Sequence, residues 1–349
     1  MVVVPREQQD AALALPSLLQ KRVQFFIGKG GVGRTTVASA FALVTARQGR
    51  KTLLVEIEES SRATRLLGLP SLEKPHPFPR AVSPTLSVLT ISGAAALEEY
   101  LYLIIPVRRL VRMLVASRPY QYFVAAAPGL KELLTIGKVW YEERQRDAET
   151  QLSRWDTLVV DLPATGHGLQ YLQMPCAARD TFSDGIVHRE AERILSWLRD
   201  PVKTAVNLVT TAEELPVSET LSAYQQLTEK LQLPLGALFV NRVHESRLSC
   251  QELSRIRPQA KSVPKDRYLV ELVLACANAE AVLAETQEVG FQQLRQMQLP
   301  SVFLPFCFSQ EFGALQLETL SQRMTLELGL ERREIAPRPR RSRDKNARL

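Results

Sequence analysis

The chain has 349 residues, 45% hydrophobic and 23% charged, which is the composition of a globular protein with a sizeable core. Its net charge of +7 is concentrated at one end: residues 332–349 hold eight Lys or Arg against two acids, so the body is near neutral and no nucleic-acid partner is expected. The four cysteines (Cys176, Cys250, Cys276, Cys307) form no CxxC pair, there is no uninterrupted apolar run of about 18 residues, and nothing resembles a signal peptide; a cytoplasmic protein with reduced thiols is expected.

Residues 1–21 read as an N-terminal extension with one short helical stretch. The apolar run 23–27 has the length of a buried strand. A glycine-rich loop, Gly28 to Gly33, and a helix over about 34–48 follow it, and Gly49 ends that helix before a second strand at 52–57. Strand, loop, helix and strand in this order form a βαβ unit, which predicts a parallel sheet covered on both faces. Residues 60–92 are rich in turn formers, with a strand at 86–91. From 94 to about 146 the pattern is helical and apolar, broken by Pro106, Pro119 and the Pro128-Gly129 pair. Further strands are expected at 157–160, 205–209, 235–240 and 301–305, and helices at 186–198, 217–231 and 267–297. The expected class is α/β: a mainly parallel sheet, helices on both faces, and a helical subdomain from about 94–150 and 172–200, within one large domain over 22–330. The basic segment 331–349 buries too little to offset its own ordering and reads as a disordered tail. It is either a solubilising end or a tether giving at most peripheral contact with an anionic membrane or an acidic partner.

The loop Gly28-Lys29-Gly30-Gly31-Val32-Gly33-Arg34-Thr35-Thr36 carries the chemistry. Its glycines let successive backbone N–H groups face phosphates, and the helix after it points its positive end at the same charge. Thr35 offers a hydroxyl to Mg²⁺. The buried strand before the loop and the helix after it are the context that gives the motif meaning. Asp161 ends an apolar strand, as a carboxylate that serves Mg²⁺ should. Thr35 and Asp161 are therefore the candidate metal ligands.

Lys29, placed directly after the first glycine, is a deviant phosphate-loop signature. With the Asp161-Leu162-Pro163-Ala164-Thr165-Gly166-His167 stretch, it makes the chain resemble the ArsA family of arsenical-pump and tail-anchored-protein targeting ATPases, P-loop NTPases of deviant Walker type. The resemblance covers about residues 22–320. It implies bound ATP with Mg²⁺ and a dimer in which Lys29 reaches the partner's nucleotide. It also implies a γ-phosphate switch formed by Asp161, Pro163, Thr165, Gly166 and His167, and an adenine site at Asn241, Pro305 and Phe306. It implies too a water-orienting carboxylate, for which Glu58 is the first candidate and Glu56 the second, although either could be a surface acid at a strand end. Lys29 could likewise be an ordinary solvated loop lysine.

The chain departs from the family at Arg34, where the motif expects lysine. A guanidinium is a planar fork rather than a compact point charge, so the swap is not neutral. Nucleotide binding should survive on backbone amides, while hydrolysis should be slow. Lys29, Glu58 and Arg34 are the candidate catalytic residues. The expected protein is an ATP-controlled switch, a homodimer or a heterodimer with a related ATPase, that binds a protein partner or an apolar helix. The apolar residues of 94–146 either form the groove for that client or are simply core. Two alternatives remain: a metalloid-pump ATPase subunit, against which the scattered cysteines argue, and a non-hydrolysing nucleotide-binding scaffold paired with an active relative.

Overall fold

The computed structural model describes residues 15–57, 61–70, 78–104, 107–118, 120, 122, 129–147, 149–246, 248–260 and 267–330. Glu58, Pro119, Pro128 and the basic segment 331–349 lie outside the described residues.

In chain order the elements are β1 (Val23–Gly28), α1 (Arg34–Arg47), β2 (Thr52–Ile57), α2 (Arg62–Leu66), β3 (Arg80–Ser83), β4 (Leu86–Ile91), α3 (Gly93–Ile104), α4 (Arg108–Val115) and α5 (Leu130–Arg144). They continue with β5 (Thr157–Asp161), α6 (Thr165–Thr181), α7 (Ile186–Leu198), β6 (Thr204–Thr210), α8 (Glu214–Gln225, prolonged by a π turn at Gln226–Leu231) and β7 (Leu235–Val243). Last come α9 (Cys250–Ala260), α10 (Arg267–Leu294, ending in a 3-10 turn at Arg295–Met297), β8 (Ser301–Pro305) and α11 (Ala314–Glu327).

Among the described residues the strands form one eight-stranded sheet in the order β3-β4-β2-β5-β1-β6-β7-β8. Every neighbouring pair is parallel except β3 with β4. From β1 the chain crosses over β5 to β2 on one side; from β5 it crosses back over β1 to β6 on the other. The carboxyl ends of β1, β5 and β6 therefore border the reversal of winding, where open α/β sheets bind ligands.

The central strands are buried on both faces, and their residues alternate between two cores. Val23, Phe25 and Ile27 join Leu53, Val55, Leu158 and Val160 on the face covered by α5, α6, α7 and α8. Phe26, Leu54 and Val159 face the other way, against Val37, Phe41 and Val44 of α1 and Leu317, Leu320 and Met324 of α11. Leu15, Leu18 and Leu19 also pack into this second core, so part of the segment expected as a mere extension is structural. One polar chain crosses the sheet in full burial. Asn207 Nδ2 donates to Gln24 Oε1 (2.9 Å), and the Ala237 N–H donates to Asn207 Oδ1 (3.0 Å).

The apolar residues of 94–146 divide between the two roles considered for them. Ala96, Leu97, Ile136 and Val139 are buried, whereas Leu110, Met113 and Leu114 of α4 are exposed around the buried Val111. Helices α2, α9 and α11, the first part of α6 and strand β3 had no counterpart in the expected set. The edge strand β3 is four residues long and follows Pro79, too short for a periodicity signal. Helix α6 runs through Pro175, a residue that ordinarily marks a helix end.

Candidate functional site

The phosphate loop leaves the sheet at Gly28, which still pairs in register with Val209 of β6. A Cβ on Gly28 would collide with the Val209 carbonyl, so only glycine lets the chain turn this close to β6. Gly33 has φ 86° and serves as the N-cap of α1; a Cβ there would collide with the Asn241 amide. No side chain caps α1. Its first N–H groups therefore remain for an anion at the positive end of the helix. A second uncapped helix begins beside it: α6 starts after Ala164, and a Cβ built on Gly30 would lie 3.8 Å from the Ala164 Cβ. Two helix N-termini thus face the same loop.

Asp161 sits under the loop at the carboxyl end of β5, nearly fully buried. Its carboxylate is engaged on both oxygens. The Arg34 Nε–H donates to Oδ1 at 2.6 Å, and the Thr35 hydroxyl donates to Oδ2 at 2.6 Å. Arg34 Nη1 also lies 3.4 Å from the Gly28 carbonyl oxygen. Lys29 Nζ is 2.8 Å from Glu219 Oε1 on α8 of its own chain. Both cations of the loop are thus paired within the chain.

The switch segment splits by exposure. Pro163 and Thr165 are buried while Gly166 and His167 are exposed. The Thr165 hydroxyl is buried without a hydrogen-bond partner among the described residues. On the opposite flank Asn241 Nδ2 donates to the Val32 carbonyl at 2.9 Å, so Asn241 braces the loop and keeps its own Oδ1 and a second N–H for other contacts. The Phe306 N–H donates to the Val243 carbonyl (2.9 Å), placing the half-exposed Phe306 ring beside the end of β7. It stacks on His244 with centroids 4.9 Å apart and meets Phe308 edge-on at 4.8 Å. His244 Nδ1 lies 2.9 Å from Glu280 of α10, which fixes the ring.

The model of the ArsA family, described as anion-transporting ATPase, matches residues 21–191. The chain is 32% identical to ATPase BagA of Mycobacterium tuberculosis over 324 residues, covering 87% of this chain and 93% of that protein. This chain belongs to the ArsA family of ATPases. It is also 27% identical over 222 residues to an arsenical pump-driving ATPase of Acidiphilium multivorum, covering 59% of this chain and 36% of that protein. The eight-stranded, mostly parallel α/β architecture is that of the family.

Within this ArsA-family ATPase the structure brings Gly28 to Thr36, Asp161, Ala164 and Asn241 to one end of the sheet. Glu56, the second candidate for orienting water, has another task. It is fully buried, and its Oε1 accepts from the Arg62 (2.6 Å) and Ala63 (3.1 Å) N–H groups, holding the start of α2. Thr35 and Asp161 present two hard oxygens 2.6 Å apart. Neighbouring ligands of an octahedral Mg²⁺ stand about 2.9 Å apart, so this donor set suits that ion, although Arg34 holds the other Asp161 oxygen. Sequence reasoning missed Glu219 as the partner of Lys29, the Arg34–Asp161 pair, and His244 with Phe308. Each joins residues far apart in the chain, and no local pattern announces such pairs.

No helix among the described residues is long and apolar enough to cross a membrane. Nor do any three His, Cys, Asp or Glu side chains among them converge to hold a metal ion.

Proposed function

We propose that this ArsA-family ATPase is a cytoplasmic, dimeric, ATP-controlled switch whose nucleotide state governs binding of an apolar protein segment. The observation that carries the proposal is the path of α6. Its first turn, with the unpartnered Thr165 hydroxyl, abuts the phosphate loop. Its far half, through Gln173, Met174, Ala177 and Ala178, forms one wall of a groove of about 1730 Å³ between α3, α4, α5 and α7. Apolar area dominates that groove, with Leu133, Trp140 and Ile194 among its other walls. A rigid helix with one end at the γ-phosphate position and the other in the groove couples the two sites if it has two arrangements. Mg²⁺, held by Thr35 and Asp161, neutralises phosphate charge when bound. Lys29, released from the half-exposed Glu219, serves the partner subunit's nucleotide.

The test is photo-crosslinking of an apolar helical peptide to the full chain with Mg-ATP, with Mg-ADP and without nucleotide. Crosslinks to α6 and α5 that depend on nucleotide are expected; crosslinks indifferent to nucleotide would sink the proposal.

A second reading is favoured by the Arg34–Asp161 ion pair: a chain that binds nucleotide, turns it over slowly, and lends Lys29 to an active relative in a heterodimer. It predicts weak phosphate release by the chain alone and a marked rise on mixing with that relative.

A further inference from the structure

The charge arrangement at Arg34 bears on how the loop treats divalent ions, given the nucleotide-binding reading above. We propose that Arg34 and Asp161 act as one unit: a fixed ion pair that neutralises the carboxylate, lets the loop hold nucleotide phosphates without a divalent ion, and leaves such an ion only the Asp161 oxygen that Thr35 holds.

Three observations carry this. The first is the geometry. The Asp161 carboxylate is 4% exposed and the Arg34 side chain 15% exposed, with Nε and Oδ1 2.6 Å apart. Thr35 holds Oδ2, so neither oxygen of the carboxylate is idle. The second is the chemistry of the cation. A guanidinium is a planar fork of five donors, so it can hold a carboxylate in fixed geometry and still present further N–H groups. Charge-assisted bonds of this length in a water-poor site are among the stronger polar contacts, and separating them strands a buried charge.

The third is the donor count. Of the five guanidinium N–H groups, Nε serves Asp161 and Nη1 reaches the Gly28 carbonyl at 3.4 Å. Nη2 has no partner among the described residues. Its donors remain for a phosphate while Nε stays on Asp161. A lysine ammonium is a single point on a flexible stem and lacks this fixed two-sided fork. Arg34 is thus a positioning residue for Asp161 and a direct donor to the phosphates.

A chain in which Asp161 served only as a metal ligand would depend on Mg²⁺ for its affinity. Titration of a fluorescent N-methylanthraniloyl-ADP into the full chain, in EDTA and in excess MgCl₂, tests it with wild type, Arg34→Lys and Asp161→Asn. Wild-type affinity should change less than about threefold between the two buffers, whereas Arg34→Lys should gain about tenfold or more from Mg²⁺. Asp161→Asn keeps the shape of the side chain but frees the guanidinium charge, so its affinity in EDTA should rise above wild type. Mn²⁺ binding followed by electron paramagnetic resonance should be weaker in wild type than in Arg34→Lys.

Equal Mg²⁺ dependence in wild type and Arg34→Lys would overturn the proposal. So would a wild-type gain of about tenfold or more from Mg²⁺; this arm needs no variant and stands even if Arg34→Lys fails to fold. If no variant binds the probe in either buffer, the nucleotide reading itself falls and takes this inference with it.

Discussion

At position 34 a guanidinium stands where the loop motif calls for an ammonium, and its nearest anion is Asp161, 2.6 Å away. A group held there stabilises charge developing on the γ-phosphate less freely than a mobile lysine. Arg34→Lys is therefore expected to raise steady-state phosphate release by at least about tenfold, equivalent to about 1.4 kcal/mol of transition-state stabilisation. Turnover unchanged by the substitution would remove the reason to invoke an active partner. A second single-residue expectation concerns the buried polar chain. Asn207→Ala leaves Gln24 Oε1 and the Ala237 N–H without their partner. Each buried group left unsatisfied costs about 1–3 kcal/mol, so urea unfolding should show a loss of about 2–4 kcal/mol with the fold retained. A loss under about 0.5 kcal/mol would mean that water or a shifted side chain replaces the amide.

Helices α3 and α5 are joined by Lys138, whose ammonium lies 2.7 Å from Glu99 and 3.1 Å from Glu142. Burial pushes the Lys138 pKa down, but hydrogen bonds and charge from Glu99 and Glu142 more than reverse this and leave it raised. A lysine whose pKa rises on folding contributes stability that is whole below the unfolded value of about 10.4 and is lost as pH climbs through the folded value. Thermal melts should therefore show the α3–α5 clamp intact at neutral pH and weakening only in strongly alkaline buffer. Lys138→Met strands the buried Glu142 and is expected to cost about 2–3 kcal/mol, less than a fully buried pair would because Glu99 is partly exposed. A melting curve for Lys138→Met that keeps the wild-type alkaline profile would show that the clamp contributes nothing.

For the molecule as a whole, the sheet turns a single crossover reversal into a shared site. Lys29 lies beside that site yet pairs with Glu219 across a partly exposed contact. Exposed pairs of this kind contribute roughly 0–1 kcal/mol, so Lys29 is released at little cost. Lys29→Ala should leave nucleotide affinity within about threefold of wild type while abolishing nucleotide-dependent dimers in sedimentation velocity. Dimers that persist unchanged in Lys29→Ala would end the case for a lysine that crosses between subunits.

The α/β class, the positions of most strands, the phosphate loop with Thr35, and the family resemblance were legible from residues alone. They rest on local rules: buried strands need unbroken apolar runs, a tight anion loop needs glycine, and both signals lie within a few neighbouring residues. The tertiary structure decided what local rules cannot express. It gave Glu56 to the start of α2, set Asn241 under the loop, paired Arg34 with Asp161 and Lys29 with Glu219, and divided the apolar residues of 94–146 between core and surface. Apart from Glu56, whose partners Arg62 and Ala63 are near it in the chain, these depend on which side chains meet after strands distant in sequence become neighbours in the sheet. Contact between residues more than a hundred positions apart is a property of the folded topology, and no periodicity in the chain encodes it.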